Sequence, residues 1–165
     1  MKAFTCCFTG HRKLPSNMYQ KIDEILKEEV IKLVKRGVRY FGVGGALGFD
    51  TLCALAILDI KKTEPQIKLI LVLPCKNQDK YWSRQDKEIY RFIKASADKI
   101  VYVSKNYTKD CMIIRNCHLV DNSSYCICYL TNRSSGTAFT VRRAKEKGVI
   151  TINIAKLLID NNNGF

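Results

Sequence analysis

Residues 43–50 read Val-Gly-Gly-Ala-Leu-Gly-Phe-Asp, and this stretch decides the interpretation of the fold. An apolar run over residues 38–43 leads into it and predicts a buried strand, while residues 51–58 have the pattern of a helix. Three glycines between a strand and a helix allow a sharp turn and a close approach of the backbone to a ligand. The amides at the start of the helix suit a phosphate or another anion. The spacing is neither G-x-G-x-x-G nor the Walker pattern, so it predicts nucleotide-like chemistry without a standard cofactor.

Apolar runs and helical patterns alternate along the whole chain. Strands are predicted over residues 3–9, 38–43, 67–73, 99–104, 124–130 and 149–154; helices are predicted over residues 16–36, from the glycine loop to about residue 62, and over 83–96, 111–121 and 137–147. This alternation predicts an α/β fold, Rossmann-like and doubly wound, with a mostly parallel sheet and helices on both faces. We expect residues 1–165 to form a single domain of this kind.

The composition predicts a folded cytoplasmic protein. The chain is 47% hydrophobic, contains three prolines and has no apolar run long enough to cross a bilayer, so no membrane partner is expected. The apolar start lacks a credible small-residue cleavage site and is interpreted as a first strand rather than a signal peptide. The eight cysteines lie mostly inside apolar strands and helices without zinc-type spacing; they are predicted to be reduced, buried and free of metal.

The net charge of +13 has two interpretations. A basic surface attracts nucleic acid through its phosphates, and polynucleotide binding stays open as an alternative. The lysines are scattered over the polar faces of the predicted helices, which fits equally well with solubility and with steering of a small anionic ligand.

Every glycine-rich or polar cluster follows the end of a predicted strand, where parallel sheets bind their ligands. Four clusters therefore predict one composite ligand site: the turn after strand one, the glycine loop, the loop after strand three and the loop after strand five with the helix before it. Its candidate residues are Gly10, His11, Arg12, Gly44, Gly45, Ala46, Gly48, Asp50, Gln78, Trp82, Arg115, Asn116, Asp121, Ser134, Ser135, Gly136 and Thr137.

The candidate residues have individual expected roles. Arg12 is suited to a phosphate or carboxylate, Asp50 to a helix start or a ribose hydroxyl, and Trp82 to covering a nucleobase or the core. The positions of Arg115, Asn116 and Asp121 need not share one helix face. No catalytic constellation or cofactor is predicted, and His118 is expected in the core.

The order and spacing of these motifs resemble the YpsA family of the SLOG superfamily, which is related to the Lonely Guy phosphoribohydrolases and to DprA. The matching pieces are residues 9–12 (TGHR), 44–50 (GGALGFD), Pro74 with Gln78, Trp82 and Tyr90, residues 97–98 (AD), 115–116 (RN), 120–121 with Ser123, and 135–137 (SGT) with Thr140. The resemblance implies a pocket for nucleotides or ADP-ribose-like ligands. The glycine loops would hold phosphate and ribose, and the Trp82 region would approach the base.

One departure from the resemblance bears on catalysis. The hydrolases of the superfamily carry a catalytic glutamate three positions after the threonine of their glycine motif, and here that position is Thr140. Binding or sensing of a nucleotide-derived ligand is therefore the leading hypothesis. The alternatives are hydrolysis through Asp50, Asp121 or His11, and single-stranded DNA binding of the DprA type. A homo-oligomer stays possible, and a valine at Gly45 is expected to abolish ligand binding while leaving the fold largely intact.

Overall fold

The computed structural model describes residues 1–162. Six strands and six α-helices alternate along the chain. The strands are β1 (Thr5–Gly10), β2 (Tyr40–Val43), β3 (Lys68–Leu73), β4 (Lys99–Tyr102), β5 (Tyr125–Tyr129) and β6 (Ile150–Asn153). The helices are α1 (Tyr19–Lys35), α2 (Phe49–Lys61), α3 (Arg84–Ser96), α4 (Cys111–Asp121), α5 (Gly136–Glu146) and α6 (Ile154–Asn162).

The strands form one parallel sheet in the order β4-β3-β2-β1-β5-β6. Helices α1, α2 and α3 join β1 to β4 and pack side by side on one face, where α6 later returns beside α1. Helix α4 carries the chain back to β5 and packs with α5 on the other face. The predicted doubly wound Rossmann-like fold is confirmed. Its switch point lies between β1 and β5, because the chain leaves β1 in one direction and returns on its other side.

The sheet has a different core on each face. Toward α1 and α2, alternate residues of β3 (Leu69, Leu71 and Leu73) are fully buried in the larger apolar cluster. Toward α4 and α5, Cys7 and its neighbour in the register, Cys126, belong to a smaller cluster. Seven of the eight cysteines are buried and all eight are free thiols, as the sequence predicted. Burial on both faces explains why the strands read as continuous apolar runs.

Three local expectations were wrong. Residues Lys2–Phe4 form a 3-10 turn rather than the start of β1. Helix α6 was not predicted; Ile154, Ala155 and Leu158 lie at helical spacing and are buried, but the asparagines at its end resemble a loop. His118 is exposed rather than part of the core, because Leu119 is the residue that α4 turns inward at this level. Within residues 1–162 no helix is both long and apolar enough to span a membrane.

Candidate functional site

A cavity of about 290 Å³ opens at the carboxyl ends of β1 and β5, at the switch point of the sheet. Four segments form its walls: the turn after β1, the loop between β2 and α2, one side of α4 and the start of α5. The lining residues are Thr9, Gly10, His11, Arg12, Ala46, Asp50, Met112, Arg115, Asn116, Ser135, Gly136 and Thr137. Ten of the sequence-predicted residues therefore meet in one place.

The start of α5 presents unused backbone donors to this cavity. Ser135 caps the helix: its Oγ accepts the N–H of Ala138 at 3.1 Å and donates to the carbonyl of Asn132 at 2.9 Å. Within residues 1–162 the amides of Gly136 and Thr137 have no hydrogen-bond acceptor. A Cβ added at Gly136 would meet no atom within 4 Å, so this end of the helix is open. Free amides at the positive end of a helix dipole form an anion site.

Arg115 brings a buried cation to the cavity from α4. Arg115 is only 5% exposed. Its guanidinium donates to the carbonyl of Gly44 and, through Nε, to Asn116 Oδ1 at 2.6 Å. Burial lowers the pKa of Arg115, but a guanidinium stays protonated in proteins. The helix therefore holds a fixed positive charge beside the open end of α5.

Asp50 places a carboxylate in the same cavity. The residue is 6% exposed, and its Oδ2 accepts the N–H of Ala46 at 3.1 Å. Burial raises the pKa of Asp50, whereas the guanidiniums of Arg115 and Arg12 oppose that rise. A Cβ added at Gly44 would lie 2.5 Å from Arg115 Nη1 and 2.9 Å from Asp50 Oδ2. Any other residue at position 44 would place its Cβ against these two charged side chains, so the position requires glycine.

The glycine loop after β2 differs from the expected open phosphate cradle. Gly45 and Gly48 have φ angles of +72° and +79°, and Gly48 packs against the backbone of Arg12. The first amide of α2, that of Phe49, donates to the carbonyl of His11 at 3.1 Å. The turn after β1 therefore covers the start of α2. Neither Gly44, Gly45 nor Gly48 lines the cavity, whereas Gly136 at the start of α5 does.

His11 accepts a hydrogen bond rather than acting as a free base. Its Nε2 accepts the N–H of Thr131 at 2.9 Å, and its ring meets the ring of Tyr129 edge-on at 6.1 Å between centroids. Burial lowers the pKa of His11. An accepting Nε2 places the proton of the neutral ring on Nδ1. His11 therefore ties the turn after β1 to the loop after β5.

The hydroxyl of Thr140 is hydrogen-bonded within α5. The residue is buried one turn into α5, and its Oγ1 donates to the carbonyl of Gly136 at 3.0 Å. Its hydroxyl is thus used inside its own helix. Among residues 1–162, no group of three or more His, Cys, Asp or Glu side chains is arranged to hold a metal ion.

Four further predicted residues lie outside the cavity. Gln78 contacts the glycine loop outside the cavity: its Nε2 donates to the Gly45 carbonyl at 3.2 Å and to Tyr90 Oη at 3.1 Å. Trp82 packs edge-on against Tyr90, with 5.0 Å between ring centroids. The other two are Asp121, whose carboxylate is held by Arg143 at 2.8 and 3.1 Å, and Ser134, which is hydrogen-bonded to Asn132.

Helical spacing explains which residues of α4 reach the cavity. Met112, Arg115 and Asn116 are three and four positions apart and share one face, whereas Asp121 follows five positions after Asn116 on another. Met112 was missed because a methionine carries no chemical signal of its own, although this spacing indicates it. Thr9, which precedes Gly10 in the motif of residues 9–12, was not predicted to bind the ligand, although it lines the cavity.

Comparisons with known proteins agree with this architecture. A family model for YpsA, described as the YspA SLOG family, matches residues 6–160. The uncharacterized SPbeta prophage-derived protein YoqJ of Bacillus subtilis is 29% identical over 139 residues, which cover 76% of this chain and 81% of that protein. A UPF0398 protein of Brevibacillus brevis is 30% identical over 79 residues, which cover 48% of this chain and 42% of that protein.

Two solved structures share the fold. DNA processing protein A (DprA) from Streptococcus pneumoniae superposes with a TM-score of 0.64 at 17% identity, over 91% of this chain and 50% of that one. DNA processing protein A from Helicobacter pylori, whose structure describes a single-stranded DNA binding mode, superposes with a TM-score of 0.64 at 17% identity. The match covers 98% of this chain and 74% of that one. The chain therefore spans about half the length of the pneumococcal protein. Because the family match covers nearly the whole chain and the motifs occur in the matching order, this protein belongs to the YpsA family of SLOG proteins.

Proposed function

We propose that the cavity binds the sugar-phosphate portion of a nucleotide or of a nucleotide-derived, ADP-ribose-like ligand, as a sensing or sequestering module. The observation that carries this proposal is the pair of unbonded amides at the start of α5, which face the same cavity as the buried Arg115. A phosphate there would accept both N–H groups, and the nearby guanidiniums of Arg12 and Arg115 would offset its charge.

The size of the cavity supports recognition of part of a nucleotide. At about 290 Å³ it lies at the lower end of ligand pockets, which span roughly 300 to 1,000 Å³. Such a volume has room for a phosphate and the sugar next to it. The sequence-based idea that Trp82 covers the base finds no support in the lining residues, since Trp82 packs on Tyr90 outside the cavity.

The polar groups around the cavity support binding without hydrolysis. Thr140 replaces the carboxylate expected of a hydrolase and donates its hydroxyl to its own helix. His11 already accepts the Thr131 amide, and Asp121 is paired with Arg143 away from the cavity. The third group considered for acid–base catalysis, Asp50, lines the cavity, and its Oδ2 already accepts the Ala46 amide.

Titration with ligand and analysis of the product test the proposal together. Isothermal titration of the chain with ADP-ribose, 5′-AMP and inorganic phosphate should give saturable binding, with the nucleotides bound more tightly than phosphate. Chromatography after prolonged incubation should return the nucleotides intact. Release of free base or phosphate would establish the hydrolase alternative, and absence of binding by all three compounds would overturn the proposal.

Single-stranded DNA binding is a second candidate, favoured by an exposed aromatic and basic surface. Tyr81 is 89% exposed with Lys80 Nζ 5.2 Å from its ring, and Lys76 Nζ lies 5.9 Å from the ring of Tyr102. Exposed aromatic rings beside lysines stack bases and attract the DNA backbone. Binding of a labelled oligothymidylate should then weaken steeply with salt, with a slope of about −0.7 per phosphate neutralised. A salt-independent signal, or none at low salt, would rule this candidate out.

A further inference from the structure

A second cavity, of about 260 Å³, lies on the face of the sheet that α4 and α5 cover. Strands β2, β3 and β4 form its floor, and the last turn of α4 forms one wall. The candidate nucleotide site uses the first two turns of α4 instead, and among residues 1–162 the two cavities share no lining residue. This cavity is therefore separate from the proposed nucleotide site.

The cavity exists because the helices cover the two faces of the sheet unevenly. In the part of the chain that the structure describes, four helices pack on the other face and two on this one. Packed helices lie about 8 to 10 Å apart and strands about 4.8 Å apart, so one helix covers about two strands. Two helices thus leave part of a six-stranded sheet open. Ile70 of β3 and Val101 of β4 face this side and are only half-buried.

The floor of the cavity is apolar and elongated. Val72 and Val101 are neighbours in the register of β3 and β4, one row beyond Ile70. Leu119 closes the side toward α4, since a Cβ added at Gly42 would lie 2.9 Å from Leu119 Cδ2. The lining extends over four residues of a strand, or about 13 Å. Apolar side chains that stay in contact with water at such a floor favour an apolar chain as occupant.

The polar edge of the cavity is cationic. Lys2 and Lys99 line it, and none of the lining residues that the structure describes is acidic. Neither ammonium forms an ion pair within residues 1–162. The carboxylate of Asp121, which lies near Lys2, is already paired with Arg143 at 2.8 Å. An anionic head group is therefore attracted to this edge, and a cationic one is repelled.

We propose that this cavity binds a small aliphatic carboxylic acid, with its chain over Ile70 and Val101 and its carboxylate near Lys2 and Lys99. The proposal goes beyond the nucleotide site and does not depend on it. The volume is close to the range of small-molecule sites, which begins at roughly 300 Å³, whereas a stable protein interface buries roughly 1,200 Å² or more. A second copy of the chain would also bring a further net charge of +13 toward the two lysines.

A titration with octanoate, followed by methyl-resolved NMR, locates the bound acid directly. Saturable shifts are expected at the methyl groups of Ile70, Val72, Val101 and Leu119. From butanoate to octanoate the affinity should rise about fourfold for each added methylene, as burial of a CH₂ group predicts. Octylamine, which has the same chain length and the opposite charge, should bind at least about fivefold more weakly than octanoate.

Two substitutions separate the roles of the floor and of the charged edge. Val101→Phe fills the cavity at a half-buried position where a strand accepts an aromatic residue, and it should abolish the octanoate shifts. Lys99→Gln should weaken octanoate by about two- to fivefold and should not weaken octylamine. Lys35→Gln, at an exposed position of α1, is the matched control and should leave both affinities unchanged.

Several results would overturn the proposal. One is the absence of saturable methyl shifts with any of the acids, which would leave an acidic protein segment as the occupant of the cavity. Equal affinities for butanoate and octanoate, or for octanoate and octylamine, would exclude burial of the chain or recognition of the charge. Wild-type binding by a folded Val101→Phe variant would place the acid elsewhere. If that variant does not fold, the wild-type shifts and the series of chain lengths still decide.

Discussion

Replacing Gly136 tests the assignment of the anion site to the start of α5. Gly136 is the first residue of that helix, and its amide has no acceptor within residues 1–162. Proline at the first helical position is well tolerated, because the missing N–H makes no bond inside the helix. Ser135, which precedes it, is extended with ψ of 167°, as a residue before proline requires. Gly136→Pro therefore removes one ligand donor with little expected change in the fold.

The magnitude follows from the loss of one charge-assisted hydrogen bond. Such a bond contributes about 1.5 to 3 kcal/mol, which corresponds to a loss of roughly 10- to 150-fold in the affinity for 5′-AMP. Gly136→Ala is the matched control: it keeps the amide and adds a Cβ into open space. Both substitutions restrict the unfolded chain, so the stability of each variant should equal or exceed that of the wild type by about 0.4 to 1 kcal/mol.

Isothermal titration with 5′-AMP and urea unfolding measure the two effects separately. The reasoning predicts weak binding by Gly136→Pro, near wild-type binding by Gly136→Ala, and normal unfolding of both. Wild-type affinity in a folded Gly136→Pro variant would refute the anion site at α5. An equal loss in both variants would also refute it, because the space around Gly136 rather than its amide would then be responsible.

Two further predictions concern the loops around the cavity. Burial lowers the pKa of His11 below the value of about 6.5 expected in the unfolded chain, so its contribution to stability is present above that pH and is lost as the pH falls below it. The urea midpoint of the wild type should therefore drop more between pH 7 and 5 than that of His11→Gln, and parallel profiles would contradict the lowered pKa of His11. Gly45→Val should destabilise the protein by about 1 to 3 kcal/mol in urea unfolding, because φ is +72° and a Cβ would lie 2.5 Å from Leu73 Cδ2. The predicted loss of stability replaces the expectation from the sequence that the fold tolerates a valine at this position. An unchanged urea midpoint would contradict it, because the glycine loop would then accommodate the side chain without cost.

The order of strands and helices was predictable because it depends on local patterns. The bounds of α4, Cys111–Asp121, agree with the prediction, since its apolar residues follow helical spacing. Helix α6 was missed because its polar end resembles a loop, and only packing of Ile154 and Leu158 against the core makes it a helix. The sequence pattern thus predicts a helix or strand when the residues of that element show its periodicity. The prediction fails when packing against neighbouring elements stabilises the helix instead.

The site was predictable in position but not in the roles of its residues. Parallel strands bring their carboxyl ends to one edge, so clusters such as residues 9–12 and 135–137 were expected to meet. Their roles depend on contacts between segments far apart in sequence. The Phe49 amide is bonded to the His11 carbonyl, and Gln78 is turned toward Gly45.

The sequence by itself determined the family, the parallel sheet and the edge at which the loops converge, because residue periodicity and motif order are local properties. The tertiary structure alone decided which of the two glycine-bordered helix starts places its glycine in the cavity. Both α2 and α5 begin with suitable residues, but the turn after β1 lies over α2 and accepts its first amide, while Gly136 faces empty space. A backbone amide binds an anion only when no protein group has already satisfied it, and that condition is set by packing.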